Sequence, residues 1–383
     1  MVLGRWDGCP AVEASDKLGP MKLRLSHLGA IAWALIPGAY AGPQDTTVVP
    51  PKILEKTFLS PVYHVDKKYR SMKGPQSTRI LHLGNPDEEQ LMWITGYSAR
   101  MVSEDGLSPM PQEFMCHSNL DLDPIVHRDH IRAETSISGR LFTLSQGQFD
   151  IDFPRGFGIP IRSSEVLNLT TQVLNLNLEA PNLDVRHKVT IRYIKDDSGA
   201  IRPLFQKSVY GLALLEGKDG RYGESVDESH HMGDHADGMG CLERPNASTH
   251  TYKDGQGRTF TGHWVVSPGR EVNTTLVTKL LSLPYDTTVH YIAVHLHPFA
   301  ESLELKDLTA KKTIFRSEAR NYQGKVGLEE VHSFSSPEGI PVFADHEYEL
   351  ISVYNNTSRE PQDSMAVMYL YLFDKRFVRP DKS

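Results

Sequence analysis

The chain has 383 residues, with 41 Lys and Arg against 48 Asp and Glu, and its formal net charge of −7 is not gathered into a long block of either sign. That balance speaks against nucleic acid or an anionic membrane surface as the main partner, because both select basic patches. The length allows two domains of ordinary size, each able to bury a core of its own.

Met21 opens the stretch MKLRLSHLGAIAWALIPGAYAGPQ, a basic start followed by an apolar run and then small residues. This is the layout of a secretory signal peptide over residues 21–41, with cleavage expected after Ala41 and residues 1–20 as an upstream extension. An ordinary amphipathic helix is the alternative. The expectation is a secreted or periplasmic protein. The apolar run is short for a bilayer span and no second one follows, so no integral membrane segment is expected in the mature chain. Cleavage removes Cys9 and leaves Cys116 and Cys241. In an oxidising compartment two remaining cysteines are expected to form a disulfide, although both stand near histidines and one could serve as a ligand instead.

Strand signals dominate the remainder. LMWITGYSARMV (91–102), VLNLNLEA (173–180) and HKVTIRYIKD (187–196) are followed by HWVVSP (263–268), HYIAVHLHPF (290–299), ESLELKDLT (301–309), HEYELISVYN (346–355) and MAVMYLYLF (365–373). They are short, rich in β-branched and aromatic residues, and separated by Gly, Pro, Asn and Asp turns. Helical periodicity over more than two turns is hard to find. The pattern predicts an all-β protein of two tandem jelly-roll-like antiparallel β-sandwich domains. A Gly-, Asp- and His-rich stretch separates them, which places an N-terminal domain at 42–215, a connecting loop at 216–249 and a C-terminal domain at 250–383.

Within VHYIAVHLHPFAE (289–301), His295 and His297 stand one residue apart in a probable strand, so their imidazoles share a face and can converge on one point. Neutral imidazole suits copper, zinc, iron or nickel, and such a pair supplies two of the three or four ligands an ion wants. Two solvated histidines on an edge strand would look the same. Met365, at the start of a late strand, offers a soft thioether that favours copper; its other reading is a core residue filling a gap. Met368, three residues on, should face the opposite side.

These residues carry a resemblance. VVSPGREV (265–272), AVHLHPF (293–299) and SMAVMYLYL (364–372) occur in the order and with the spacing found in the second domain of the copper type II, ascorbate-dependent monooxygenases, the group of peptidylglycine α-hydroxylating monooxygenase and dopamine β-hydroxylase. There an H-x-H pair and a late methionine complete a copper site. The polar stretch YNNTSRE (354–360) also sits where those enzymes have a similar loop. More faintly, FTLSQGQFDIDFPRGFGIPI (142–161) and TTQVLNLNLEA (170–180) resemble segments of their first domain. The resemblance implies copper at His295, His297 and Met365, a reductant such as ascorbate, and hydroxylation with O2 of a C–H bond in an unidentified small-molecule or peptide substrate.

The departures are equally informative. The family's first copper is held by an adjacent histidine pair and a third histidine, but this chain has MCHSNLDL (115–122) at the pair, with His117 and Cys116, and Leu174 or Asn175 at the third place. His127 and His130 lie near His117 in sequence, and the loop SHHMGDHADGMGC adds His230, His231 and His235 with Met232 and Met239. These residues make a possible second site; a solvated polar loop is the alternative. Ala293, Val367 and Tyr369 occupy the family's peptide-carboxylate positions, and only the tyrosine is retained, which argues against a C-terminal glycine peptide as substrate. A non-catalytic exported copper carrier that keeps one mononuclear site is the competing expectation.

Overall fold

Ala366–Phe373, read as AVMYLYLF, is an unbroken apolar run, the pattern of a strand covered on both faces. Its alternate residues enter two different cores. Val367, Tyr369 and Tyr371 pack with Tyr97, Phe142 and Phe153, whereas Ala366, Met368, Leu370 and Leu372 pack with Leu303, Leu305 and Leu350. The computed structural model in which this is seen describes residues 51–131, 137–197, 201–217, 220–223 and 251–380. The expected signal peptide, most of the 216–249 connection, and with it His230, His231, His235 and Cys241 of the expected disulfide, lie outside the described residues.

The described chain is nearly all β. A long sheet runs in the order Leu54–Leu59, Leu183–Lys195, Leu91–Ser103, Phe157–Arg162, Arg202–Tyr210, Ala366–Phe373, Thr287–Leu296 and Phe334–Val342. Its pairings are antiparallel except where Arg202 and Pro203 meet Phe157 and Gly158 in parallel. One sheet of four strands, Gln76–Leu81, Leu167–Val173, Met115–Leu122 and Arg140–Ser145, belongs to the first core. One of five strands, Gly269–Leu276, Tyr348–Asn356, Ala300–Asp307, Lys312–Asn321 and Leu328–Val331, belongs to the second. Because Arg202–Tyr210 pairs with Ala366–Phe373, hydrogen bonding runs unbroken from the 42–215 half into the 250–383 half, and the described residues form one compact unit.

Most expected strands are present, with two local differences. Residues 173–180 hold only the last residue of the strand Leu167–Val173; beyond it the Asn175 side chain is drawn off to the carbonyls of Lys67 and Leu178. DPIVHRDHI contains the helix Pro124–Ile131, in which Asp123 accepts from the N–H groups of Ile125 and Val126 and Pro124 takes the first turn.

Aromatic packing ties the halves together. The Phe142 ring lies 5.1 Å from Tyr97 and 5.8 Å from Tyr371, and the Tyr371 hydroxyl donates to the Leu141 carbonyl at 2.8 Å. Phe142→Ala should therefore cost about 3–5 kcal/mol. In urea, unfolding should stay a single transition at a lower midpoint; two separate transitions would show that the cores are not coupled.

Candidate metal centre

The H-x-H pair owes its orientation to a bulge. In the strand Thr287–Leu296 the pairing shifts between Val289 and Tyr291, leaving His290 as the extra residue. Val289 thus joins Ile292, Val294 and Leu296 in the second core, while Tyr291 and Ala293 face the first. His295 and His297 continue that second set of alternate positions and line a small cavity of about 20 Å³, room for one water-sized body.

The same cavity is lined by Met365 and Tyr369, and by Cys116, His117 and Asn119 of the strand Met115–Leu122. There too a register shift, between Met115 and His117, makes Cys116 the bulged residue. His117 pairs with Ser145, whose hydroxyl is hydrogen-bonded at 2.9 Å to Nδ1 of His295. One serine therefore stands between the histidine of the first half and the pair of the second. His263, immediately before the strand Trp264–Val266, also lines the cavity.

Hydrogen bonds hold the rings by their Nδ1 atoms. His297 Nδ1 donates to the Asp363 carbonyl at 3.2 Å, with the Asp363 carboxylate 3.4 Å away. This leaves Nε2 of His297 as the atom able to meet an ion. The Tyr354 hydroxyl accepts from His297 N–H at 3.4 Å and donates to the Met365 carbonyl at 2.6 Å, so one buried phenol spaces two candidate ligands. Burial, and then the neighbouring imidazoles, hold His295 well below the ordinary histidine range; burial, Arg140 and the other rings lower His117 to about 3. Both are neutral, the form a metal requires. Burial would raise Asp363, but hydrogen bonds and charge from His263 and His297 outweigh it and keep the carboxylate ionised.

The residues present fit a soft ion. Two oriented imidazoles and a thioether form a donor set that favours copper. Asn119 is fully buried with neither its amide oxygen nor its nitrogen hydrogen-bonded, an arrangement that calls for a polar occupant of the cavity it lines. Among the described residues no three His, Cys, Asp or Glu side chains are grouped so as to hold an ion by themselves, so a three-residue set here would include the Met365 thioether.

The other histidines expected near His117 are elsewhere. His127 is buried on the helix Pro124–Ile131 with Nδ1 2.6 Å from the Glu165 carboxylate, and His130 is exposed on that helix. Met368 packs in the second core, across the strand from the cavity. Sequence reasoning passed over His263, Asn119, Ser145 and Tyr354. Of these only His263 carried a signal, its place one residue, Trp264, ahead of the VVSPG segment.

Two tests follow from the geometry. Tyr354→Phe leaves a buried N–H and carbonyl unpaired and should cost about 1–3 kcal/mol in urea unfolding of the metal-free chain; no change would mean the phenol is not bridging them. His187, like His117, is lowered by burial from 6.5 to about 3. The unfolded chain then binds these protons at higher pH than the folded one, so this stability is full above about 6.5 and is lost as pH falls toward 3, by up to about 1.4 kcal/mol per pH unit and ring. The urea midpoint should drop between pH 7 and pH 4, about one ring's share less steeply in His187→Gln; equal slopes would refute the assignment.

No protein-family model matches the chain, and no curated protein matches it. Solved structures that align with it include the STIV MCP, at 8% identity and a TM-score of 0.30, covering 84% of this chain and 97% of that one. The Sputnik virophage aligns at 7% identity and a TM-score of 0.22 over 91% of each chain. The infectious bursal disease virus VP2 subviral particle aligns at 7% and 0.18, over 87% of this chain and 75% of that one. Overlaps at such scores carry no argument about this chain.

Proposed function

We propose that this protein is a non-catalytic copper-binding protein holding one copper at His295, His297 and Met365, and that it acts outside the cytoplasm as a carrier or scavenger. The observation that carries the reading is the convergence on one cavity of the H-x-H pair, the late methionine and His117. Imidazole and thioether together select a soft ion and favour its cuprous state. The export part of the reading rests on the 21–41 sequence pattern alone.

The shared cavity favours this reading over the monooxygenase one. Hydroxylation by the route of the resembling family uses two separate coppers and a substrate beside one of them. Here His117, at the position matching the first copper's histidine pair, lines the same cavity as the H-x-H pair, so the two sets of ligands are not held apart as two coppers would need. Tyr369, the retained member of the carboxylate-binding positions, pairs with Ala293 across the strands.

Copper loading followed by dialysis should leave one copper per chain, bound more tightly as Cu(I) than as Cu(II). His295→Ala combined with His297→Ala should abolish that binding, and Met365→Leu should weaken the cuprous form more than the cupric. Two coppers per chain with ascorbate-dependent O2 consumption, lost in the double variant, would overturn the carrier reading in favour of the oxygenase. Unchanged stoichiometry in the double variant would remove the site itself.

A further inference from the structure

We propose that an open cleft at one end of the five-stranded sheet binds a short acidic saccharide. The cleft measures about 600 Å³, within the size range of small-molecule sites, and shares no lining residue with the metal cavity. The inference is therefore independent of the copper reading.

Three neighbouring strands of the sheet end at the cleft. Glu301 opens on it from Ala300–Asp307, Asn321 closes Lys312–Asn321 against it, and Asn355 does the same for Tyr348–Asn356. Lys68 and Asn177 reach it from the first half of the chain. The two halves are fastened together here. Asn177 Nδ2 donates to the Val326 carbonyl at 2.9 Å and its Oδ1 accepts from Val326 N–H at 2.8 Å, and Lys325 pairs with Glu113 at 2.8 Å. The concavity is thus held by paired polar groups on both sides.

Phe299 lines the cleft with φ at 71°, a left-handed conformation that is costly for an aromatic residue. Asn321 Oδ1 accepts from Phe299 N–H at 2.7 Å, and the Phe299 carbonyl accepts from Asn355 N–H at 2.8 Å. The surrounding structure enforces the strain from two strands at once. Strain of this kind gathers at ligand sites.

The chemistry of the lining points to the ligand. Half-buried Phe299, Leu176 and Val326 offer apolar surface that suits the C–H faces of a sugar ring. Beside them, the Asn355 amide and the Tyr322 and Thr357 hydroxyls have no hydrogen-bond partner among the described residues. Their mixed donors and acceptors match sugar hydroxyls. Lys325 Nζ lies 4.2 Å from the centre of the Tyr322 ring, so this tyrosine contributes its hydroxyl more than its face. Lys68 and Lys325 each give one ammonium donor to a carboxylate outside the lining, Glu179 at 2.6 Å and Glu113 at 2.8 Å. Two donors on each remain for a ligand oxygen. Glu301, a carboxylate of the lining, is met by Arg270 at 3.2 Å, which offsets its repulsion of an anion. A uronate carboxylate or a sulfate is the group that two ammoniums select.

Isothermal titration calorimetry of the copper-free full chain tests this with a panel of acidic di- and trisaccharides, uronates and sulfated hexosamines. Each is paired with its neutral counterpart, as trigalacturonate is with its methyl ester. At least one acidic probe should bind, once per chain, with a Kd of about 1 mM or tighter, and about 1 M NaCl should weaken it. The neutral counterpart should bind about tenfold more weakly, and so should the acidic probe to Lys68→Ala combined with Lys325→Ala. Thr357→Ala should weaken binding by a smaller factor. Lys188→Ala with Lys195→Ala removes the same charge from exposed positions elsewhere and should change nothing. No binding by any acidic probe, equal binding of the neutral counterparts, or equal loss in both lysine pairs would overturn the proposal and leave the copper reading as it stands. The comparison of charged and neutral probes requires no variant, so misfolding of a variant cannot mask the answer.

Discussion

Burial of the Ala366–Phe373 strand on both faces is the constraint from which the remaining architecture follows. One set of its side chains completes the first core and the other set the second. Neither half can close its apolar interior without it, and a strand so placed must hydrogen-bond on both edges, to Arg202–Tyr210 on one side and to Thr287–Leu296 on the other. Met365 stands just ahead of this strand, and the H-x-H pair ends its neighbour. The candidate ligands are therefore fixed by the most buried part of the molecule.

That location explains the electrostatics. Groups at the junction of two cores are shielded from water, so histidines there are held neutral, and the polar atoms that remain must be paired within the protein or by an occupant. Ser145 on His295, the Asp363 carbonyl on His297 and the Tyr354 phenol between His297 and Met365 satisfy the inner side of the site. The unpaired amide of Asn119 faces the part that the protein leaves open. The site is consequently a joint property of both halves, with Ser145 and His117 from one and the H-x-H pair from the other.

Legibility in the sequence followed the physics of each signal. Alternation in HYIAVHLHPF correctly put His295 and His297 on one face, and the spacing of Met365 from Met368 correctly put them on opposite faces. The same period failed at 173–180, where alternating Asn and Leu read as a strand although the Asn175 amide competes for backbone carbonyls and turns the chain away. The helix Pro124–Ile131 was overlooked because it is barely two turns long, although Asp-Pro at its start is a helix-opening signal. Adjacency in sequence also misled: His127 and His130 are near His117 along the chain, yet His127 is committed to Glu165 and His130 to solvent.

The sequence by itself determined the all-β class, the position of most strands and the placing of His295 and His297 on one face, because side-chain alternation is a local property. Only the tertiary structure decided that His117 and His263 share the same cavity with them. The strands carrying the cavity residues are aligned by register shifts at Cys116 and His290 and by the pairing of Trp264–Val266 with Gln362–Ser364, contacts between segments from 45 to 100 residues apart. Such pairings are selected by the closing of two cores around one strand, and no local pattern encodes them.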